Sequence, residues 1–395
     1  MLSAAPQTSG WIVSVHSAIA DIPAKEWDLC VGRDNPYARH DHLLALEESG
    51  IAWPENGFHP RHIILRNENG EIAAAAPAYL KDHSEGELGV DLGLAMAHNR
   101  AAGPYYPKLQ VEIPMTPIAG PRLLVRDGAD RTNVWPALLS ALRQQAEKDG
   151  ASSVQIAYMT APEWEISEAA GFMKSEGNSY IWRNPGLKSF GDFLAAMQSR
   201  YRTKTRRERK KVAAEGLTYI HYEGKDITAE LAGPFFEMYA ATYAHNKTEL
   251  WHNRAYFERI FSAMPEALEL TFGYKKDCLV AAQLSFVDGE VVYAQHWGHS
   301  GDIRFLHFEL GIYQSIERAI AGQKAVVDFG ATGQHKAERG IGIEPSYHSL
   351  WFRSGEFRAV AEFGLNRKRA AAEIERQQEE ARLPYKSVSD EDGRA

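Results

Sequence analysis
Cysteine is nearly absent. Cys30 and Cys278 are the only two in 395 residues, and they are far apart with no CxxC spacing. That excludes a disulfide scaffold and a cysteine-ligated zinc site, and it fits a reducing cytoplasm. No apolar run reaches the roughly 18 residues of a membrane span. The opening stretch, residues 1–23, has neither a charged start nor a long apolar core, so it does not read as a secretory signal. Zincin H-E-x-x-H spacing is missing, and the close pairs His40/His42 and His296/His299 lack further ligands, so no metal site is assigned. No zinc-finger, RNP or KH signature occurs, and the net charge is −8; sequence-specific nucleic-acid binding is not expected. What is present is ample core material, 44% hydrophobic and 11% aromatic residues. The length suits two or three folded domains rather than a disordered chain.

Element order comes next. In the first half, 10–18 reads as a strand, 40–50 as a helix stopped by Gly50, and 61–82 as a hairpin turning at Asn69-Gly70. Residues 133–150 form a helical pattern and 152–159 a buried strand. In the second half, 217–224 is a strand and 227–245 and 255–264 are helices. Residues 268–298 make a three-strand meander with hairpin chemistry at Asp288-Gly289. Residues 305–323 are a helix with Phe308, Ile312, Ile316 and Ala319 on one stripe. Strands at 325–331 and 347–352 and a polar helix at 366–383 follow. The fold class expected is α+β, with two similar domains of mixed, largely antiparallel sheets flanked by helices. They are placed at 1–185 and 186–365, and 366–395 is read as a polar helix with a disordered tail.

The strand–helix–helix–meander–helix–strand order of the second half resembles GNAT acyltransferases, and two such domains in tandem resemble FemAB-like transferases. The stretches AAAAPAYLKDHSEGE (73–87), YYPKLQVEIPMTPIAGPRLL (105–124), RTKTRRERKKV (202–212), LHFELGIYQ (306–314) and GATGQHKAERG (330–340) resemble the FemAB-like predicted bacterial N-acyltransferases. Gln334 departs from the glutamate usual in that family. The resemblance implies acyl transfer to an amine, with acyl-CoA as co-substrate and no permanently bound cofactor. Its narrowest version is a bacterial ceramide synthase acylating a long-chain sphingoid base. The family also neighbours enzymes that take aminoacyl groups from tRNA, which is the one nucleic-acid partner left open. A third reading is a non-catalytic binder of lipid or cell-wall precursors, to which the Gln334 departure points.

Amide formation from a thioester needs a proton acceptor for the amine, donors for the oxyanion and a grip on the donor's phosphates. His296, His299, His307 and His335 lie in the second half, and histidine is the usual base near neutral pH. His335 and His307 are the first candidates, with His296 beside them, and Glu309 is a candidate to orient a histidine or bind the amine. Strand alternation puts Tyr293 and Trp297 on one face and His296 on the other. Trp297, Tyr293 and Lys336 are read as substrate-contacting, as are Tyr105, Tyr106 and Lys108 in a proline-bounded loop of the first half.

One segment is chemically extreme. Between Arg200 and Lys211, eight of twelve residues are Lys or Arg, opposed by Glu208 alone. Such a helix is a candidate phosphate clamp through Arg200, Arg202, Arg206 and Arg207, with Arg304 contributing from the loop 298–308. Tyr201, Thr205, Glu208 and Val212 form a narrow, less polar stripe. That is too narrow for an amphipathic membrane helix, though contact with anionic lipid heads at the inner membrane surface stays open.

Overall fold
The computed structural model describes residues 10–32, 35–86, 91–333 and 335–386. Its contacts separate two units, residues 1–177 with 345–373 and residues 178–344 with 374–395. The first division falls at 177/178 and not at 185/186, inside strand β9 (Met173–Arg183). Residues 345–373 return to the first unit, because strand β15 (Gly342–Phe352) pairs from Tyr347 to Phe352 with β8 (Ser153–Met159). Pairing with a strand nearly two hundred residues away leaves no local trace, so the sequence alone assigned this segment to the second half.

In the first unit, β1 (Ile12–His16), β3 (His62–Arg66), β4 (Ile72–Ala76) and β7 (Leu124–Val125) form an antiparallel sheet in the order β1-β3-β4-β7. The expected hairpin joins β3 to β4. Gly70 takes φ 81°, and the Asn67 side-chain oxygen accepts the Asn69 and Glu71 amides at 3.0 Å. Strands β2 (Phe58–Pro60), β5 (Ala78–Lys81) and β6 (Lys108–Val111) pair antiparallel, and β6 runs parallel to β8. Helices α1 (Ala24–Val31), α2 (His40–Glu48), α3 (Leu92–Ala101), α4 (Arg131–Lys148) and α5 (Ala161–Ala169) flank these strands. The alanines of β4 are all buried; with so little side chain, they let Leu138, Leu139 and Leu142 of α4 share a core with Ile63, Leu65, Val154 and Ile156.

The second unit follows the expected order. After β9 come α6 (Phe190–Ala196) and α7 (Ser199–Ala213), then β10 (Leu217–Glu223), α8 (Ala232–Asn246) and α9 (Arg254–Ala263). The meander is β11 (Leu268–Lys275), β12 (Cys278–Asp288) and β13 (Val291–His299). Beyond it lie α10 (Leu306–Phe308), a π-helical segment (Glu309–Gln314), α11 (Ser315–Ala321) and β14 (Val326–Asp328). The strand order is β10-β11-β12-β13-β14-β9, antiparallel except for β13 against β14. Helix α12 (Gly355–Glu380) starts eleven residues before the expected polar helix. Its first turns carry Phe357, Ala361 and Leu365 into the first unit's core. Residues 387–395, read as a disordered tail, lie outside the described residues. The α+β class with mixed, mostly antiparallel sheets holds.

Candidate active site
The second unit's chemistry gathers where two parallel strands part. β13 and β14 pair over three positions, ending at Tyr293 opposite Asp328. β14 then stops while β13 continues to His299, so the β14-facing edge of β13 has no strand partner there among the described residues. Gly330 follows with φ 74°, and a Cβ at this position would lie 2.9 Å from the Gln295 side-chain oxygen. The positive φ favours glycine at this turn, whereas the Gln295 amide is the end of a flexible side chain and could move aside. The Gly330 amide donates to Asp328 Oδ1 at 2.7 Å. Burial pushes the Asp328 carboxyl up to about 7, against that hydrogen bond and the nearby Lys336 charge. Lys336 is buried too, donates to the Phe329 carbonyl and lies 5.3 Å from the Tyr180 ring centre. Burial pulls its ammonium down to about 8, with Asp328 acting in the opposite sense.

The histidines divide as strand alternation sets them, but a bulge in β13 between Tyr293 and His296 puts Tyr293 on the face of His296 and not, as expected, on that of Trp297. Trp297 stacks between His299 at 4.9 Å and His307 at 4.3 Å, and His307 meets His335 edge-on at 5.5 Å. His296 faces the other way, among Tyr239, His252, Phe257 and Phe286. It is a core residue beneath α8 and α9, separated from His307 and His335. Burial holds the His307 ring down to about 3 and the His335 ring down to about 4, helped in both cases by Lys336 and Arg339. Both rings are thus neutral near pH 7. His335 Nε2 is buried without a hydrogen-bond partner among the described residues. A neutral ring with a free, buried nitrogen can accept a hydrogen bond or a proton from a group that enters.

Among the described residues, Glu309 bonds no histidine. It is buried in the π-helical segment and bound by Arg209 at 3.0 Å through both Nε and Nη2, while Arg209 also reaches Glu317 at 2.7 Å. Its partner sits 100 positions away in the basic helix, which is why the sequence suggested a histidine or an amine instead. The triad lines a cavity of about 600 Å³, together with Val212, Leu217, Tyr219 and Gln314.

The basic helix α7 is two-sided. Thr205, Glu208 and Val212 are buried, as the less polar stripe predicts. Arg206 and Arg207 are exposed and Arg202 is half-buried. None of the three forms an ion pair with a described residue. Arg200 lies against the Tyr201 ring at 4.5 Å and Arg304 against Phe305 at 4.7 Å, both exposed. Tyr105, Tyr106 and Lys108 belong to the first unit. There Asp91 binds the Lys108 ammonium and takes the Tyr105 hydroxyl at 2.9 Å, and Tyr106 shares a hydrogen bond with Ser84 at 2.5 Å. Gln334 lies outside the described residues. Among those described, no group of three His, Cys, Asp or Glu side chains is arranged to hold a metal ion, and no helix is long and apolar enough to cross a membrane.

Sequence reasoning missed Arg339 and Asp328. Arg339 is 4% exposed; its guanidinium binds Glu208 at 2.9 and 3.1 Å, donates to the His335 carbonyl at 2.9 Å and lies 3.4 Å from the Phe308 ring centre. A signal existed. A single acid inside a run of eight cations, on the helix's least polar stripe, asks for a buried partner.

A family model named FemAB_like, described as peptidoglycan biosynthesis/recognition, matches residues 18–387. No curated protein sequence matches the chain. Among solved structures, FemX superposes with a TM-score of 0.55 at 15% identity, covering 86% of this chain and 98% of FemX. The C-terminal domain (DUF2156) of a putative lysylphosphatidylglycerol synthetase from Agrobacterium fabrum gives 0.55 at 12% identity, covering 90% and 96%. A conserved protein of unknown function from Bacteroides thetaiotaomicron gives 0.53 at 12% identity, covering 86% and 99%. Identities this low speak for the fold.

Proposed function
The chain belongs to the FemAB_like family, and from that premise we propose that it is an acyltransferase that moves an acyl group from a CoA thioester onto an amine. The carrying observation is His335, a neutral ring with an unpartnered, buried Nε2 beside the parting of β13 and β14. In the reaction the amine nitrogen forms a bond to the thioester carbonyl carbon, and the carbon–sulfur bond breaks. His335 Nε2 takes the proton the amine loses and can return it to the departing thiolate. The unpartnered edge of β13 supplies backbone donors where the oxyanion develops. Trp297 and His307 wall the site against water, and the free arginines of α7 suit the donor's phosphates.

A long-chain amino alcohol is the acceptor we favour, which makes the narrowest form of the proposal a ceramide-synthase-like reaction. Purified protein given acyl-CoA and such an amine should release CoA thiol. Absence of release across short and long acyl chains and several amines would refute the proposal.

A second reading draws on the fold shared with FemX and on the same free arginines: aminoacyl transfer from tRNA. It requires tRNA binding that weakens steeply with salt, losing orders of magnitude between roughly 50 and 200 mM. Lack of binding at low salt excludes it.

A further inference from the structure
The puzzle of the basic helix is its inner face. α7 turns Arg200, Arg206 and Arg207 outward, yet it is fastened inward to the very turn that holds His335 and Lys336. Glu208, 2% exposed, is the inner anchor. It receives the Arg339 guanidinium on both oxygens and the Tyr313 hydroxyl at 2.5 Å. One turn earlier, Lys204 binds Glu338 at 2.6 Å. Arg339 then passes the connection on: it donates to the His335 carbonyl and covers the face of Phe308, itself 5.2 Å from the His335 ring. Two adjacent residues of one short turn, Glu338 and Arg339, are thus each tied to α7. One of them also fixes the backbone and ring environment of the histidine.

A charge pair this deeply buried is a costly way to gain stability, since well-packed apolar residues would often do as well. What it provides is orientation. One guanidinium nitrogen, Nη2, spans both oxygens of Glu208 while Nη1 reaches the His335 carbonyl, so the planar group is fixed at two points in a way an apolar contact is not. We infer that Arg339 and Glu208 are positioning residues. They hold His335 Nε2 in its working orientation and tie it to the helix whose outer face meets the donor's phosphates. This rests on the acyl-transfer reading for its catalytic consequence, but the mechanical link to His335 stands apart from it.

Two variants test the link, the near-isosteric Glu208→Gln and the charge-conserving Arg339→Lys, each in the full chain. With acyl-CoA and a long-chain amine, both should lower kcat about ten-fold to a hundred-fold while the KM for acyl-CoA changes less than about three-fold. In Arg339→Ala, added guanidinium should restore part of kcat. A merely structural role would give no such rescue. The second arm needs no turnover: with ring-labelled histidine, the His335 resonances should shift in Glu208→Gln while those of His296, on the opposite face of β13, stay in place. If the wild type releases no thiol, the acyl-transfer reading fails and the resonance arm alone decides the link. Unmoved His335 signals in Glu208→Gln, or His296 moving as far as His335, would overturn the positioning role. So would a kcat equal to wild type in both variants.

Discussion
At the residue scale, the two kinds of histidine in β13 and its neighbours make opposite predictions. His335 is half-buried with a free nitrogen, so His335→Ala should cut turnover by about two orders of magnitude or more and leave the unfolding midpoint in denaturant almost unchanged. His296 has no such freedom. Burial lowers its ring from 6.5 to about 4, so the unfolded chain takes up a proton that the folded chain refuses. Stability from this residue is fully present above pH 6.5 and is lost as pH falls toward 4. Between pH 7.5 and 5 the wild type should therefore lose about 2 kcal/mol relative to His296→Phe, measured by denaturant unfolding at both pH values. A constant gap between the two proteins would contradict the assignment. Much of this was legible in the sequence: alternation along β13 already set Trp297 and His296 on opposite faces. The role of Glu309 was not, because its partner Arg209 belongs to a distant helix and only folding brings them within 3.0 Å.

At the scale of elements, α7 combines a readable pattern with an unreadable one. The buried stripe of Thr205, Glu208 and Val212 follows from helical spacing. That Glu208 is held by Arg339 does not, since 131 positions separate them. Reversing charge on the outer face with Arg206→Glu and Arg207→Glu together should raise the KM for the acyl donor about ten-fold. The effect should fade at high salt, while thermal stability holds; equal KM values at low salt would remove the phosphate role. The close approach of β13 to α8 is a second element-scale feature. A Cβ on Gly298 would lie 2.2 Å from the Met238 carbonyl carbon and 2.3 Å from the Tyr239 nitrogen, both backbone atoms that cannot rotate away. Gly298→Ala should cost about 3 kcal/mol in equilibrium unfolding. A near-neutral substitution would mean that the helix and strand sit further apart. The π-helical segment that carries Glu309 and Gln314 gave no warning, because a helical hydrophobic stripe looks the same whether the turns within it are α or π.

For the molecule as a whole, composition and element order were enough to anticipate two α+β units, and missed where the chain is divided between them. Hydrophobic periodicity is local, whereas the pairing of β15 with β8 and the return of residues 374–386 to the second unit are decided by contacts far apart in sequence. That return has a consequence. Tyr385 donates to the Gly340 carbonyl at 2.6 Å, just past the turn holding Arg339, and Gln198 donates from its backbone to Pro384 at 2.8 Å. Ending the chain after Glu380 should therefore destabilise the second unit by about 2 kcal/mol, through lost hydrogen bonds and lost burial of the tyrosine ring. The most direct test of acyl transfer at His335 is to quantify both products at once from purified protein, acyl-CoA and a long-chain amino alcohol. The account predicts CoA thiol and N-acyl amide in equal amounts, both nearly abolished in a folded His335→Ala variant. Thiol without amide, or undiminished amide in that variant, would contradict it.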